Sequence, residues 1–294
     1  MNNLHFLLSD PLTRTFITIM LSTAAICFIA GELTQNYSQV DKLWSIMPVI
    51  YSLTALLSHP SPRLWIMCIL VSIWGFRLSF NLYRKGGYNI IPWRGEEDYR
   101  WKIIREHSKL KGRIRFALFN LLFISFYQNF IILLFSTPLL LAAKSGSSSL
   151  IPTDILAATL MFLFILTETV ADNQLFRFWK LKHQMNDSEG QLAGSIKKGF
   201  ISEGLWRYVR HPNYASEQAI WISFYLFGVA ASGKWINWTL TGPLMLILLF
   251  LGSTGLTERI SNDKYPAYAG YKKDVPKFIP RLFRSDKYKE SLEK

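Results

Sequence analysis

The chain has 294 residues, 50% of them hydrophobic and 15% aromatic, yet it carries a formal charge of +13. Its apolar residues run in continuous blocks instead of amphipathic stripes, which excludes an ordinary water-soluble core and points to a helical membrane protein with basic loops. The two cysteines, Cys27 and Cys68, both fall inside apolar blocks, so a disulfide framework is excluded as well.

Seven blocks come near the roughly 20 residues needed to cross about 30 Å of hydrocarbon. In chain order they predict spans over about 14–31, 41–58, 62–83, 115–142, 151–178, 213–232 and 236–257. The first has no small-residue cleavage site and almost no positive charge ahead of it, so it reads as a retained span and not a signal peptide. Of the 33 Lys and Arg residues, 27 lie in the segments 84–115, 177–210 and 259–294, which places these three segments together on the cytoplasmic side. The expected fold is an all-α integral membrane bundle of seven transmembrane helices, one domain over 1–294, with the N-terminus outside and the C-terminus cytoplasmic. Topology accounts for the basic charge, and no nucleic acid is expected as a partner.

The second predicted span opens on "NYSQVDKLWSIMPVIY", 36–51, where Tyr37 and Asp41 are four residues apart and would share one face of a helix. Arg77, in "WGFRL", lies close to a basic loop, and snorkelling or pairing for folding is its plainer explanation. The polar insert "RKGGYNIIPWRGEEDYRWKIIREHSKLKG", 84–112, predicts a short amphipathic helix after Glu96, lying along the membrane surface. Its charge suits binding of anionic headgroups as well as it suits covering a site. A flexible turn is expected over "AAKSGSSSLIP", 142–152. Further on, Glu168 and Asp172 share a helix face that Gln174 and Arg177 extend, and such a face has to look into the bundle or into a wet cavity.

The densest polar cluster is "GLWRYVRHPNYASE", 204–217. Pro212 has no amide hydrogen and disfavours helix at His211, so a helix is predicted to start at Pro212 or Asn213. Its free amides and positive dipole end then lie beside Arg207, Arg210 and His211, a ready site for an anion. Asn213 and Glu217 project from one face with Tyr214 beside them. An amide, a carboxylate and a ring suit the sugar, the carboxamide and the base of a nucleotide cofactor. The plainer alternative is that the arginines are topology charges and Asn213 an N-cap.

These residues carry a resemblance. "GLWRYVRHPNYASEQ" resembles the Arg-His-x-Asn-Tyr signature of the membrane sterol reductases and of the bacterial relatives of the steroid 5-alpha-reductases. "NYSQVDKLWSIMPVIY", "WGFRL", "EEDYRW", "ADNQLFRF" and "YPAYAGYKKDVPKFIP" follow the bacterial group in order. The resemblance implies a bacterial inner-membrane reductase that binds NADPH from the cytoplasm and delivers hydride to a conjugated carbonyl lipid, such as a 3-oxo-4-ene steroid. It assigns the cofactor to Asp172, Arg177, Lys197, Trp206, Arg207, Arg210, His211, Asn213, Tyr214 and Glu217, with Lys198 a further phosphate partner. The substrate side would lie in 1–112 and the cofactor side in 113–294. Asp41 would be the catalytic carboxyl facing the substrate carbonyl. Val40 and Asp41 stand where mammalian relatives have a Gln-Glu pair, and Trp74 stands where their catalytic tyrosine is, so Tyr37 is the substitute candidate for a second proton donor.

A second reading is an S-adenosylmethionine-dependent methyltransferase, because the isoprenylcysteine carboxyl methyltransferases also resemble "RHPNY" and have a later glutamate like Glu258. A third is a membrane scaffold or transporter. The acid in "NYSQVDKLW" has a task in carbonyl reduction and none in methyl transfer, which favours the reductase.

Overall fold

The computed structural model describes residues 9–91, 94–107, 110–145, 149–184 and 192–281, and its regular structure among these is helical throughout. Parts of the insert (92–93 and 108–109), of the expected turn (146–148) and of the basic tail (282–294) lie outside the described residues.

The first helix, α1 (Pro11–Thr34), starts where local chemistry directs. The Asp10 carboxylate accepts from the Thr13 amide at 2.9 Å and from its hydroxyl at 2.6 Å, and Pro11 occupies a position whose amide would have no helical partner. Leu21, Ile26, Ile29 and Leu33 are exposed along it while Phe16, Met20, Ala24 and Cys27 are buried, as a helix between lipid and protein requires. The expected 41–58 span arrives in two pieces, α2 (Gln39–Trp44) and α3 (Met47–Ser58). Pro48 has no amide to offer the Trp44 carbonyl four residues back, so the ladder breaks there. Next comes α4 (Pro62–Arg84), capped by Ser61, whose hydroxyl accepts from Leu64 N at 3.3 Å.

The helix expected after Glu96 is α5 (Tyr99–Glu106), capped by Asp98. The long run Arg113–Lys144 consists of α6 (Arg113–Phe119), a π-helical stretch (Asn120–Tyr127), α7 (Gln128–Ser136) and α8 (Pro138–Lys144). The π stretch begins on Asn120, fully buried, which donates to Glu32 Oε1 at 2.8 Å and accepts from Ser125 Oγ at 3.1 Å. Then come α9 (Pro152–Gln184), α10 (Ala193–Lys198), a 3-10 turn (Gly204–Arg207), α11 (Pro212–Ser232), α12 (Thr241–Lys264) and α13 (Tyr268–Asp274). At 33 residues α9 is about 50 Å long, well beyond one hydrocarbon thickness.

Among the described residues six stretches are long and apolar enough to cross a membrane: Pro11–Thr34, Gln39–Ser58, Pro62–Arg84, Arg113–Lys144, Pro152–His183 and Trp238–Lys264. They coincide with six of the seven predicted spans. The remaining one, 213–232, is helical as α11 but is not in this set, because Asn213, Glu217 and Gln218 make its first two turns polar.

Residues 1–161 with 221–246 form one compact unit, and 162–220 with 247–294 a second. In the first, Trp221 meets Trp74 edge-on at 4.9 Å and Phe135 at 3.9 Å between ring centroids. The same unit contains a buried ion pair at the starts of two helices. Arg63 donates from Nε to Asp154 Oδ1 at 2.7 Å, from Nη2 to Oδ2 at 2.9 Å and from Nη1 to Ser145 Oγ at 3.0 Å. Both side chains are nearly inaccessible, at 3% and 0%. Removing one partner leaves the other charge buried and unanswered, which costs about 3 to 5 kcal/mol. Arg63→Ala and Asp154→Ala are each expected to lower the unfolding temperature in detergent, and the double variant to lose less than the sum; additive losses would show that the pair contributes no coupling.

Candidate functional site

In the second unit the segment before α11 is fixed by Glu258 of α12. The Glu258 carboxylate is 2% exposed and accepts from Arg210 Nε at 2.9 Å, while His211 Nε2 lies 3.0 Å from the same oxygen and Lys272 Nζ 3.4 Å from the other. Arg210 also donates from Nη1 to the Lys272 carbonyl at 2.9 Å and to the Val275 carbonyl. The backbone follows: Arg210 N donates to Pro276 O at 2.9 Å and His211 N to Lys277 O at 3.2 Å. Arg210, expected at a cofactor phosphate, is thus an internal strut. A buried guanidinium needs acceptors on every side, and here the protein supplies them.

Trp206, also expected at the cofactor, has a similar internal role. Its indole donates to Ala171 O at 3.3 Å, its carbonyl accepts from the Tyr271 hydroxyl at 2.5 Å, and its ring lies in a small core with Phe178 and Ile201. The turn that carries it depends on Gly204, at φ 61, where a Cβ would come within 2.6 Å of the Gln174 amide. Gln174 Oε1 in turn accepts from Leu205 N at 3.0 Å. Gln174 therefore seats the 3-10 turn against α9.

With that turn set, α11 begins at Pro212 as expected, and its first two turns carry the polar face. Asn213 Nδ2 donates to Asp172 Oδ1 at 3.2 Å, which joins the start of α11 to α9. Asp172 and Glu217 are both 4% exposed. The half-buried Tyr214 ring stacks on His211 at 5.7 Å and meets Phe250 at 4.8 Å. Arg207 is half-buried, whereas Arg177, Lys197 and Lys198 are exposed. In the second unit Asp172 is thus bonded to Asn213, Tyr214 and Glu217 lie on the same first two turns of α11, and Arg177, Lys197 and Lys198 are exposed cations.

Burial is the main influence on His211 and holds its imidazole below the ordinary value of 6.5; Glu258 pulls it upward, while Arg210 and Lys277 push it down. Glu258 is already answered by Arg210, so burial prevails and a neutral His211 donates its Nε2 hydrogen to the carboxylate.

In the first unit Asp41 is held from the insert. Trp101 Nε1 donates to Asp41 Oδ2 at 3.1 Å, and three further bonds tie the insert to the same segment. Asn36 Nδ2 donates to Gly95 O at 2.9 Å, Lys42 Nζ to Arg94 O at 2.9 Å, and Tyr37 N to Glu97 Oε1 at 2.9 Å. Asp98 closes the arrangement: its amide donates to Ser38 Oγ at 2.9 Å, and its carboxylate binds Arg100 at 2.7 Å. Burial alone would raise the Asp98 carboxyl, but the Arg100 bonds outweigh it and hold the group below 3.8.

Tyr37 and Asp41 do not share a helix face. The helix starts after Ser38, so Tyr37 lies outside it, with its hydroxyl donating to Gln35 Oε1 at 3.3 Å and its ring between Phe116 and the Arg105 guanidinium. Burial first, and Glu32 next, push the Tyr37 phenol above its usual value. The partners of Trp101 and Gln174 are what sequence reasoning misses. The available signal is the "EEDYRW" stretch, in which an N-capping aspartate sets a tryptophan three residues into an otherwise polar helix.

A family model described as "Protein of unknown function (DUF1295)" matches residues 27–275. A Schizosaccharomyces pombe protein, "Uncharacterized protein C594.04c", is 39% identical over 262 residues, which is 85% of this chain and 74% of that protein. No solved structure matches the chain.

The His211 environment makes stability depend on pH. Between the depressed folded value and 6.5 the unfolded chain binds more protons than the folded one, so stability is present above 6.5 and lost as pH falls below it. The expected loss is at most about 1.4 kcal/mol per pH unit. His211→Gln, which keeps a donor for Glu258, should flatten the unfolding temperature across this window; an unchanged slope would assign the pH dependence to other groups.

Proposed function

The chain belongs to the DUF1295 family, and we propose that it is a membrane reductase that uses NADPH to saturate the carbon-carbon double bond conjugated to a lipid carbonyl, as in a 3-oxo-4-ene steroid. The observation that carries this reading is the bond from half-buried Asn213 at the start of α11 to buried Asp172, with Glu217 buried one turn further on. Two carboxylates and an amide suit a polar, hydroxyl-rich ligand more than a lipid, and the nearby cations suit any anionic group it carries. The topology that goes with the reading counts α11 as a seventh span, with the N-terminus outside, the C-terminus cytoplasmic and the cofactor bound from the cytoplasm.

The residues present fit NADPH as a class. Asp172 and Glu217 accept from ribose hydroxyls or the carboxamide, Asn213 both donates and accepts, and Tyr214 offers a ring face. Arg207, Arg177, Lys197 and Lys198 supply cations for its phosphates, while Arg210, His211 and Trp206 hold the framework in place. NADPH, when bound, supplies the hydride. Asp41 binds the substrate carbonyl and gives the proton that compensates the charge developing on its oxygen. The apolar faces of the helices admit a lipid substrate sideways from the bilayer.

Asn213→Ala and Glu217→Ala should each weaken NADPH binding by roughly tenfold to a hundredfold, measured on folded protein in detergent. Since Asn213 and Asp172 are bonded to each other, Asp172→Ala combined with Asn213→Ala should cost less than the two singly. Unchanged affinity in both single variants sinks the assignment, and retention of S-adenosylmethionine in place of a nicotinamide nucleotide would replace it with methyl transfer. Arg207→Gln and Lys197→Gln should weaken NADPH more than adenosine and reduce the salt dependence of binding. Equal losses for both ligands return these cations to topology alone.

A further inference from the structure

We propose that Trp101 is the positioning residue of the Asp41 carboxyl and dictates which of its oxygens gives up a proton. The inference rests on the reading of Asp41 as the acid that meets the substrate carbonyl. Trp101 Nε1 lies 3.1 Å from Asp41 Oδ2. An indole nitrogen donates and never accepts, so a proton carried by Asp41 has no place on the line between these two atoms and resides on Oδ1. Ser38 also bonds this carboxyl through its side chain. A hydroxyl rotates to donate or accept as its neighbour requires, so Ser38 imposes no choice between the oxygens. Trp101 does.

The position of Trp101 is set by the insert. Asp98 caps α5, and Trp101 N donates to Asp98 O at 3.0 Å, which fixes the first turn. On this helix Tyr99 and Ile103 are 53% and 40% exposed, whereas Trp101 is 6% exposed. The bonds from Asn36, Tyr37, Ser38 and Lys42 to residues 94–98 hold the helix start against the very segment that contains Asp41.

In the proton transfer, the Asp41 Oδ1–H bond breaks and an O–H bond forms on the substrate oxygen, so that with hydride delivered to the β carbon the substrate becomes an enol. The enol then gives its O–H proton to water and takes a proton at the α carbon to become the saturated carbonyl. Asp41 is left as a carboxylate that accepts from Trp101 and Ser38, and it regains its proton from water. With the indole N–H absent, the proton is free to sit on either oxygen, and a fraction of the enzyme presents the wrong one.

The test uses the full chain in detergent, NADPH and a 3-oxo-4-ene steroid, comparing the parent with Trp101→Phe, Asp41→Ala and the double variant. Trp101→Phe should lower kcat about tenfold, the equivalent of one hydrogen bond, with steroid KM and NADPH affinity nearly unchanged. In the Asp41→Ala background the same change should cost nothing further. Thermal unfolding of the four proteins without cofactor should show the matching non-additivity, a readout independent of turnover. If Trp101→Phe does not fold, Trp101→Leu, which likewise has no side-chain donor, makes the same comparison in both backgrounds. Equal proportional losses in both backgrounds, or a Trp101→Phe enzyme at the parent rate beside a crippled Asp41→Ala, overturn the positioning role alone. A parent chain that does not reduce the enone, or an Asp41→Ala enzyme at the parent rate, overturns the reductase reading on which the role rests.

Discussion

A carboxylate taken out of water must be answered by donors it can touch, and Glu258 touches two cations, Arg210 and Lys272, and the neutral His211. The arrangement of the second unit depends on this. Because Arg210 reaches both Glu258 and the carbonyls of Lys272 and Val275, the stretch before α11 has a single path, and Pro212 receives the chain at a fixed point. Asn213 then falls opposite Asp172. Without the Glu258 cluster the start of α11 would remain a sequence preference; with it, the helix start becomes a position at which side chains can be aimed. The arginine that looks most like a ligand for an anion is the one that makes the site possible.

The first unit solves a similar problem differently. Asp41 lies on a six-residue helix, too short to be stable unaided, and its indole partner comes from α5, beyond two further helices in the chain. The insert 84–112 combines a surface helix with the means of holding an acid in place. Within it the buried Trp101 serves Asp41, while Tyr99 and Ile103 are exposed.

What was legible in the sequence is local. Pro212 marks a helix start because of its own missing amide; Asp98 caps α5 by reaching two residues along; apolar blocks of the right length mark six spans. The illegible parts are choices between distant partners. "RYVRHP" contains two arginines that composition cannot separate, yet it is Arg210 that is committed to Glu258, 48 residues away. Gln174 reads as one more polar residue on α9 until Gly204 and Leu205 are set against it. The Tyr37–Asp41 expectation fails because four-residue spacing carries meaning only where the helix exists, and the backbone at Tyr37 has not yet entered it. In the same way, nothing in "NLLFISFY" distinguishes a π stretch from an α-helix, since the two differ in which carbonyl an amide selects.

The Arg63–Asp154 pair has a consequence for the order in which the chain is made. Its members are 91 residues apart, so Arg63 enters the bilayer before its carboxylate has been synthesised. At about 5 to 20 residues per second this interval lasts roughly 5 to 20 s. Throughout it the guanidinium sits at the first turn of α4, the end of a helix that repels cations, and its remaining recourse is to reach outward to headgroups and water. Arrival of α9 replaces that temporary solvation with a bidentate carboxylate. The membrane insertion of the early helices is thus provisional until the middle of the chain emerges, and a nascent chain stalled before residue 154 would expose at the bilayer surface a charge that the finished protein conceals.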